Sequence, residues 1–540
     1  MGEEFSLADV EGELVATMGQ TDARRIEDSP FCILLLGDWS GRANRRLFAS
    51  SVELAEWRPL LVDRDDVDSV MQRLGVSLSL SLKSYPTKSL TIDFNELADF
   101  HPDRLCERLE IFENLRRTRA RLSNPKTFAA AAAEVRGWSE QQTADESTVV
   151  RSRPAHAEPQ IHSEKPAAGG LLDQILEGTS TGVSGDEAPQ PSPAVSSEIA
   201  QLAKAAVDPY LTPDIEADQN QLIAAIDERM ASDLREILHH PDFQSLESAW
   251  RAVDFLTTRL DTGTELKLYL LDISHDEFKA DLRSQEDLSA TALYKLLVEQ
   301  TVGTPGGIPW AAVAGNYTFD LTDGDSELIG RLSLVAQRAG APFIAAASPR
   351  LLGCESLAET PDPDDWQDPL EPQIAQWWNS LKEIPSATYV GLALPRFLLR
   401  LPYGKKTDPI EEFDFEEMAN TDARQEERLV RHECYLWGNP AFAVAFLLAK
   451  GFAEDGWHFR PSDSLDIEGL PLHIYKSDGD SEIKPCAEVL FTLRAAEKII
   501  DRGLMPLLSM KDTDTVRLGI FQSIVCTKLA GPWSGLRSRS

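Results

Sequence analysis

The chain is 540 residues long and 42% hydrophobic, more than a single core can absorb, so at least two folded units are expected. Its formal net charge of −35 excludes a nucleic-acid partner, which needs clustered Lys and Arg to displace counterions, and disfavours an anionic membrane surface. Six cysteines scattered without a C-x-x-C pair fit reduced, mostly buried thiols better than a disulfide framework or a zinc site.

Met1-Gly2-Glu3-Glu4-Phe5 is acidic and has neither the basic start nor the apolar run of a secretory signal. The longest apolar run, Ala441 to Ala449, is too short to span a bilayer, so a cytoplasmic protein without direct membrane insertion is expected. Cys32 to Leu36, closed by Gly37-Asp38, reads as a buried strand. Val67, Val70, Met71 and Leu74 recur at helical spacing behind Asp65 and Asp66, two carboxylates suited to a helix start. Ser77 to Leu82 alternates Ser and Leu as a half-buried strand does, and Leu90, Ile92 and Phe94 continue that pattern. Leu105, Leu109, Phe112 and Leu115 then predict one long charged helix, with Pro102 in its first turn.

Residues 139–170 and 177–197 are rich in Ser, Pro, Ala, Gly, Gln and Glu and read as linkers. They isolate a short apolar island, Leu171, Leu172, Asp173, Gln174, Ile175 and Leu176. Beyond them Ile223, Ile226, Met230, Leu234 and Ile237 predict a helix, His239-His240-Pro241 a break, and Phe243, Leu246, Trp250, Val253 and Leu256 a second helix. Strands are predicted at Glu265–Ile273, Trp310–Gly315, Phe343–Ala347 and Tyr389–Leu394, with a helix carrying Leu328, Leu332, Val335 and Ala336 between them. This alternation indicates an α/β to α+β core.

No strong catalytic signature is present, so neither an enzyme nor a bound cofactor or metal is expected. Gly404-Lys405-Lys406-Thr407 looks like the end of a P-loop, but Leu399 stands where its first glycine belongs. His432-Glu433-Cys434-Tyr435-Leu436 begins like a zincin helix and has Leu in place of the second His. His432 beside Cys434 suggests a thiol nucleophile only weakly, because sequence adjacency is not the spatial pairing that chemistry needs; a buried structural cysteine is favoured. His-Pro-Asp occurs at His101 and at His240, opening an amphipathic helix each time. Asp362, Asp364, Asp365 and Asp368 lack the glycine and terminal Glu of an EF-hand and read as a solvated loop.

Several longer motifs carry a resemblance. Pro30–Arg42 (PFCILLLGDWSGR), Val62–Asp66 (VDRDD) and Asp99–Leu105 (DFHPDRL) resemble, in order, the small subunit of the type VI secretion contractile sheath, TssB or VipA. Leu238–Gln244 (LHHPDFQ), Leu246–Arg251 (LESAWR), Ala341–Arg350 (APFIAAASPR), Leu392–Gly404 (LALPRFLLRLPYG), Ile410–Glu417 (IEEFDFEE), Tyr435–Asn439 (YLWGN) and Met505–Leu508 (MPLL) resemble the large subunit, TssC or VipB. The chain thus reads as a fusion: a small-subunit domain at 1–138, a flexible linker at 139–200 holding the island at 171–176, a large-subunit domain at 201–526, and a tail at 527–540. Two folded units with a contractile tail-sheath-like fold are expected.

The resemblance implies a structural role, in which such subunits stack into a cytoplasmic tube around an inner tube of Hcp, seated on a baseplate, and contraction drives the inner tube outward. It further implies disassembly by the AAA+ ATPase ClpV, which grasps an N-terminal helix of the large subunit; Leu171–Leu176 resembles that helix. After Phe521-Gln522-Ser523-Ile524 the family continues into a further domain that serves the inner layer and strand exchange, whereas this sequence stops at Ser540. Two readings follow: a sheath building block joined by other sheath subunits that supply the domain, or an accessory cap, baseplate adaptor or assembly regulator that binds the sheath without propagating it.

Overall fold

The computed structural model describes residues 29–137, 215–320, 322–367, 370–418, 432–477 and 480–535. The linkers and the island Leu171, Leu172, Asp173, Gln174, Ile175 and Leu176 lie outside the described residues.

Phe31–Gly37 forms β1, buried at every position. A strand with apolar side chains on both faces needs parallel neighbours and a layer over each face. Three further strands precede the linker: β2 (Leu60–Val62), β3 (Val76–Ser81) and β4 (Ser89–Phe94). After it come β5 (Leu266–Asp272), β6 (Ala312–Phe319), β7 (Phe343–Ala347), β8 (Val390–Leu394), β9 (Phe397–Leu398), β10 (Trp437–Gly438), β11 (Asp466–Ile467), β12 (His473–Ser477), β13 (Asp480–Lys484), β14 (Met505–Ser509) and β15 (Val516–Leu518). Nine of these make one sheet in the order β11-β15-β14-β8-β7-β6-β1-β5-β2. From β14 to β5 neighbouring strands run parallel, and the edges close with antiparallel β2 on one side and β15 and β11 on the other.

β1 sits inside this sheet. Phe31 to Gly37 pair with Leu266 to Asp272 of β5, and Ile33 to Leu36 pair with Ala312 to Gly315 of β6. The sequence reading drew its folded units at 1–138 and 201–526; compactness divides the chain differently, into 1–109 with 231–540, and 110–230. The reason lies in β1 itself: among the described residues before the linker β3 and β4 pair only with each other and β2 pairs with β5, so both neighbours of β1 come from after the linker.

The helix Pro440–Asp455 covers part of the sheet and is buried from Pro440 through Ala449, which accounts for its apolar run without a membrane. Among the described residues no helix is long and apolar enough to cross one. Its Phe452 stacks on Phe31 at 4.6 Å between ring centroids, and Trp457 and Phe459 close around the same ring at 5.2 and 5.8 Å. Trp39, after β1, is fully buried; its indole donates to the Leu271 carbonyl at 3.0 Å, and Trp250 donates to the Trp39 carbonyl at 2.8 Å. Trp39→Ala should therefore lower stability by about 3–5 kcal/mol, read as a fall in the urea midpoint; an unchanged midpoint would refute this account of the joint.

The second unit holds the helix Glu110–Ser123, where Arg119 Nε reaches Asp227 Oδ1 at 2.6 Å and the Leu122 carbonyl accepts from Gln219 at 2.7 Å. The single long helix expected across Leu105 to Leu115 is instead two: Pro102–Arg108 ends at Leu109, whose backbone is extended at φ −84 and ψ 128. Among the described residues the remaining predicted helices and strands form, with shifted ends. Asp66 occupies the expected N-cap position, but its carboxylate accepts from Asp63 N at 2.8 Å rather than from its own helix.

Candidate functional site: ionic networks where the motifs meet

The turn after β1 is built on one carboxylate from β5. Asp272 accepts from Trp39 N at 2.8 Å, Ser40 N at 3.0 Å and Ser40 Oγ at 2.7 Å. Arg42 lies 3.4 Å from the same carboxylate and 3.0 Å from Glu277. Asp38 accepts from Arg42 N and Ala43 N at 2.7 and 2.9 Å and tightens the turn, although burial raises its carboxyl overall. Gly41 has φ +73, and a Cβ there would strike the Ser77 carbonyl, so this turn requires glycine.

A second network gathers the large-subunit motifs around Arg400. Its Nε and Nη2 donate to Glu247 at 2.7 and 3.1 Å, and its Nη1 and Nη2 donate to Glu417 at 2.7 and 3.1 Å. Both carboxylates are fully buried. Arg251 donates to Glu247 at 2.7 Å and to the Tyr403 hydroxyl at 2.8 Å, while Tyr403 N donates to Glu417 at 2.7 Å. Two guanidiniums thus face two carboxylates, with the His239 ring 3.5 Å from Glu417 as well. Burial would raise the Glu417 carboxyl, but the Arg400 charge and the hydrogen bonds from His239 and Arg400 hold it at about 2. Burial pushes the Tyr403 hydroxyl up to about 12.

A third group joins Arg396 to the hairpin β12–β13. Arg396 donates to Glu488 from Nη2 at 2.6 Å and from Nε at 3.1 Å, and Nη2 also reaches Glu433 at 3.0 Å. His432 Nε2 lies 3.3 Å from Glu488, and Lys484 Nζ lies 2.7 Å from His432 Nδ1. This pattern suits a neutral His432 that donates from Nε2 and accepts at Nδ1, in accord with a downward shift caused first by burial. Burial likewise lowers Lys484 to about 8. The ligand atoms of His432, Glu433 and Glu488 lie within 4.8 Å of one another, close enough for a divalent cation. Arg396 already donates to both carboxylates, so the cationic place among them is taken by a guanidinium.

The weaker sequence candidates separate in space. Gly404 to Thr407 form a turn with both lysines exposed. Asp364 is exposed and pairs with Arg494. The two His-Pro-Asp sites each open a helix, and each adds a contact that spacing did not suggest: the His101 and His240 rings accept from Asp103 N and Asp242 N, both at 3.2 Å. Cys434 meets not its neighbour His432 but His239, with Sγ to Nδ1 at 3.5 Å. Glu247 stands in the LESAWR motif without a role that spacing assigns, and the role of Asp272 was missed, because a lone acid on an apolar strand carries no motif.

The buried charges pair with one another where distant segments join and so hold those segments together. The large-subunit signal extends over most of the chain: residues 220–525 match the VipB family, described as EvpB/VC_A0108, tail sheath N-terminal domain, and the chain belongs to that family. Residues 15–147 match the type VI secretion system VipA family, described as VipA, VC_A0107 or Hcp2, so small- and large-subunit segments occupy one chain. Among curated relatives, the type VI secretion system sheath protein TssC1 of Pseudomonas aeruginosa strain PAO1 is 35% identical over 329 residues, covering 59% of this chain. The chain spans 64% of that relative's length.

Proposed function

We propose that this chain is a structural component of a type VI secretion contractile sheath, a cytoplasmic protein with a tail-sheath-like fold that forms or joins the tube around an inner Hcp tube. The observation that carries the reading is the position of β1: the small-subunit segment supplies an interior strand to the sheet of the large-subunit segment, so one chain amounts to one joined pair. Fusion fixes the two halves at one to one and raises their local concentration. Work is then stored in the lattice of subunits rather than in a reacting side chain, and no catalytic residue, cofactor or metal is assigned. Other sheath subunits, the baseplate and ClpV are the partners of this reading, with Leu171 to Leu176 as the segment that the ATPase grasps.

Negative-stain electron microscopy of the chain, alone and co-expressed with sheath and tube proteins of its system, tests the proposal. Incorporation along the full length of tubes is the expected result. Absence from every polymer overturns it, and labelling confined to tube ends would make the chain a cap or adaptor instead. In the same preparations, deletion of residues 171–176 should abolish co-sedimentation with the ATPase while leaving assembly intact; retained binding would remove the island from the account.

A further inference from the structure

His239 ends one helix's last turn and Cys434 lies 195 positions later, yet the thiol and imidazole meet at 3.5 Å between Sγ and Nδ1. On the far side of the ring, Nε2 lies 3.5 Å from Glu417 Oε1, an ion-pair distance. Glu417 is itself fixed by Arg400 and by Tyr403 N. Thiol, imidazole and carboxylate therefore stand in line, and a cationic ring beside a thiol favours its thiolate. Burial alone would depress the imidazolium; the bonds from Cys434 and Glu417 outweigh it and hold His239 at about 9.

The pair also has access. Cys434 and His239 line a groove of about 700 Å³ with Pro241, Gln244, Ser245 and Ser248. Cys434 is half-buried, whereas Cys32, Cys106, Cys354 and Cys486 are buried and Cys526 is exposed. Burial raises Cys32 and Cys486 to about 11, so neither competes as a thiolate near neutral pH.

We propose that Cys434 is a modification site, a thiol that reacts with soft electrophiles and small disulfides, with the His239 imidazolium as the counter-ion of its thiolate and Glu417 as the carboxylate that faces the ring's other nitrogen. This assignment is independent of the sheath reading. In the step with a disulfide, the Cys434 proton is released to solvent, the His239 imidazolium faces the resulting thiolate from Nδ1, and the thiolate attacks one sulfur. The S–S bond breaks as the new one forms, and the departing thiolate takes up a proton from solvent. Cys434 ends oxidised in a mixed disulfide, and the other half of the reagent leaves reduced as a free thiol.

The test follows labelling of the full chain by limiting iodoacetamide near neutral pH, with peptide mass spectrometry resolving each cysteine. Cys526 is a stringent comparator, being exposed and 3.6 Å from the Lys382 ammonium. Cys434 should react about tenfold faster than Cys526, and His239→Asn should slow Cys434 about tenfold while leaving Cys526 unchanged. Glutathione disulfide should form its mixed disulfide first at Cys434. The proposal is overturned if Cys526 matches or outpaces Cys434, or if His239→Asn leaves the Cys434 rate where it was. Should that variant unfold, seen as labelling of buried Cys32, the order of reaction in the unaltered chain decides alone.

Discussion

Arg400→Leu is expected to destabilise the protein by about 3–5 kcal/mol near neutral pH, because it strands two carboxylates in a place without water. The side chain is only 8% exposed and makes four hydrogen bonds to carboxylates, two to Glu247 and two to Glu417, besides one to the Leu401 carbonyl. Replacing the whole network by apolar residues would be a far milder change; removing Arg400 alone leaves two buried carboxylates short of the cation they share. The pH dependence identifies the cause. Glu417 is held below its ordinary 4.5, at about 2, so its contribution is fully present above about 4.5 and is lost as pH falls through about 2. In the variant Glu417 can take up a proton within the fold, so the gap between the two proteins should narrow on acidification below about 4.5. Urea midpoints measured at both ends of this range check the claim, and a gap that is constant or widens in acid would refute it.

The second large effect concerns the joint between the halves. With a protease site inserted between residues 139 and 170, the cut fragments should still co-elute in size-exclusion chromatography under native conditions. The covalent linker is not what holds β1; hydrogen bonding to β5 and β6 and burial of all seven residues do that. Leu35→Asp in the same cut protein should release the N-terminal fragment, because an unpaired carboxylate inside the sheet costs several kcal/mol. Separation of the unaltered fragments immediately after cutting would show that the linker, not the sheet, carries the joint.

Local signals in the sequence reached local structure. The apolar runs at Cys32–Leu36 and Phe343–Ala347 are strands because both faces are covered, and the alternation from Ser77 and from Leu90 gives a two-stranded pair with one face buried. The helix break at Leu109 was not legible, since no Gly or Pro marks it and the apolar spacing runs on across it. The place of β1 was also hidden: strand pairing over more than two hundred residues leaves no trace in composition, and a long linker after the segment suggests independence. At the site, the motifs held Glu247, Arg251, Arg396, Arg400, Tyr403, Glu417 and Tyr435, but spacing did not say which of them pair. Cys434 was weighed against the adjacent His432, while the fold delivers His239.

The interior position of β1 also sets an order of events during synthesis. Its seven residues emerge first, and the earliest parallel neighbour, β5, begins at Leu266. At about 5–20 residues per second the ribosome needs roughly 10–50 s to reach it. For that interval a continuous apolar strand with both hydrogen-bonding edges open is attached to the nascent chain, prone to mispair with others on the same message. In a two-gene arrangement the equivalent strand would wait for an encounter with another polypeptide; in this one its partners arrive on the same tether, after a delay set by translation.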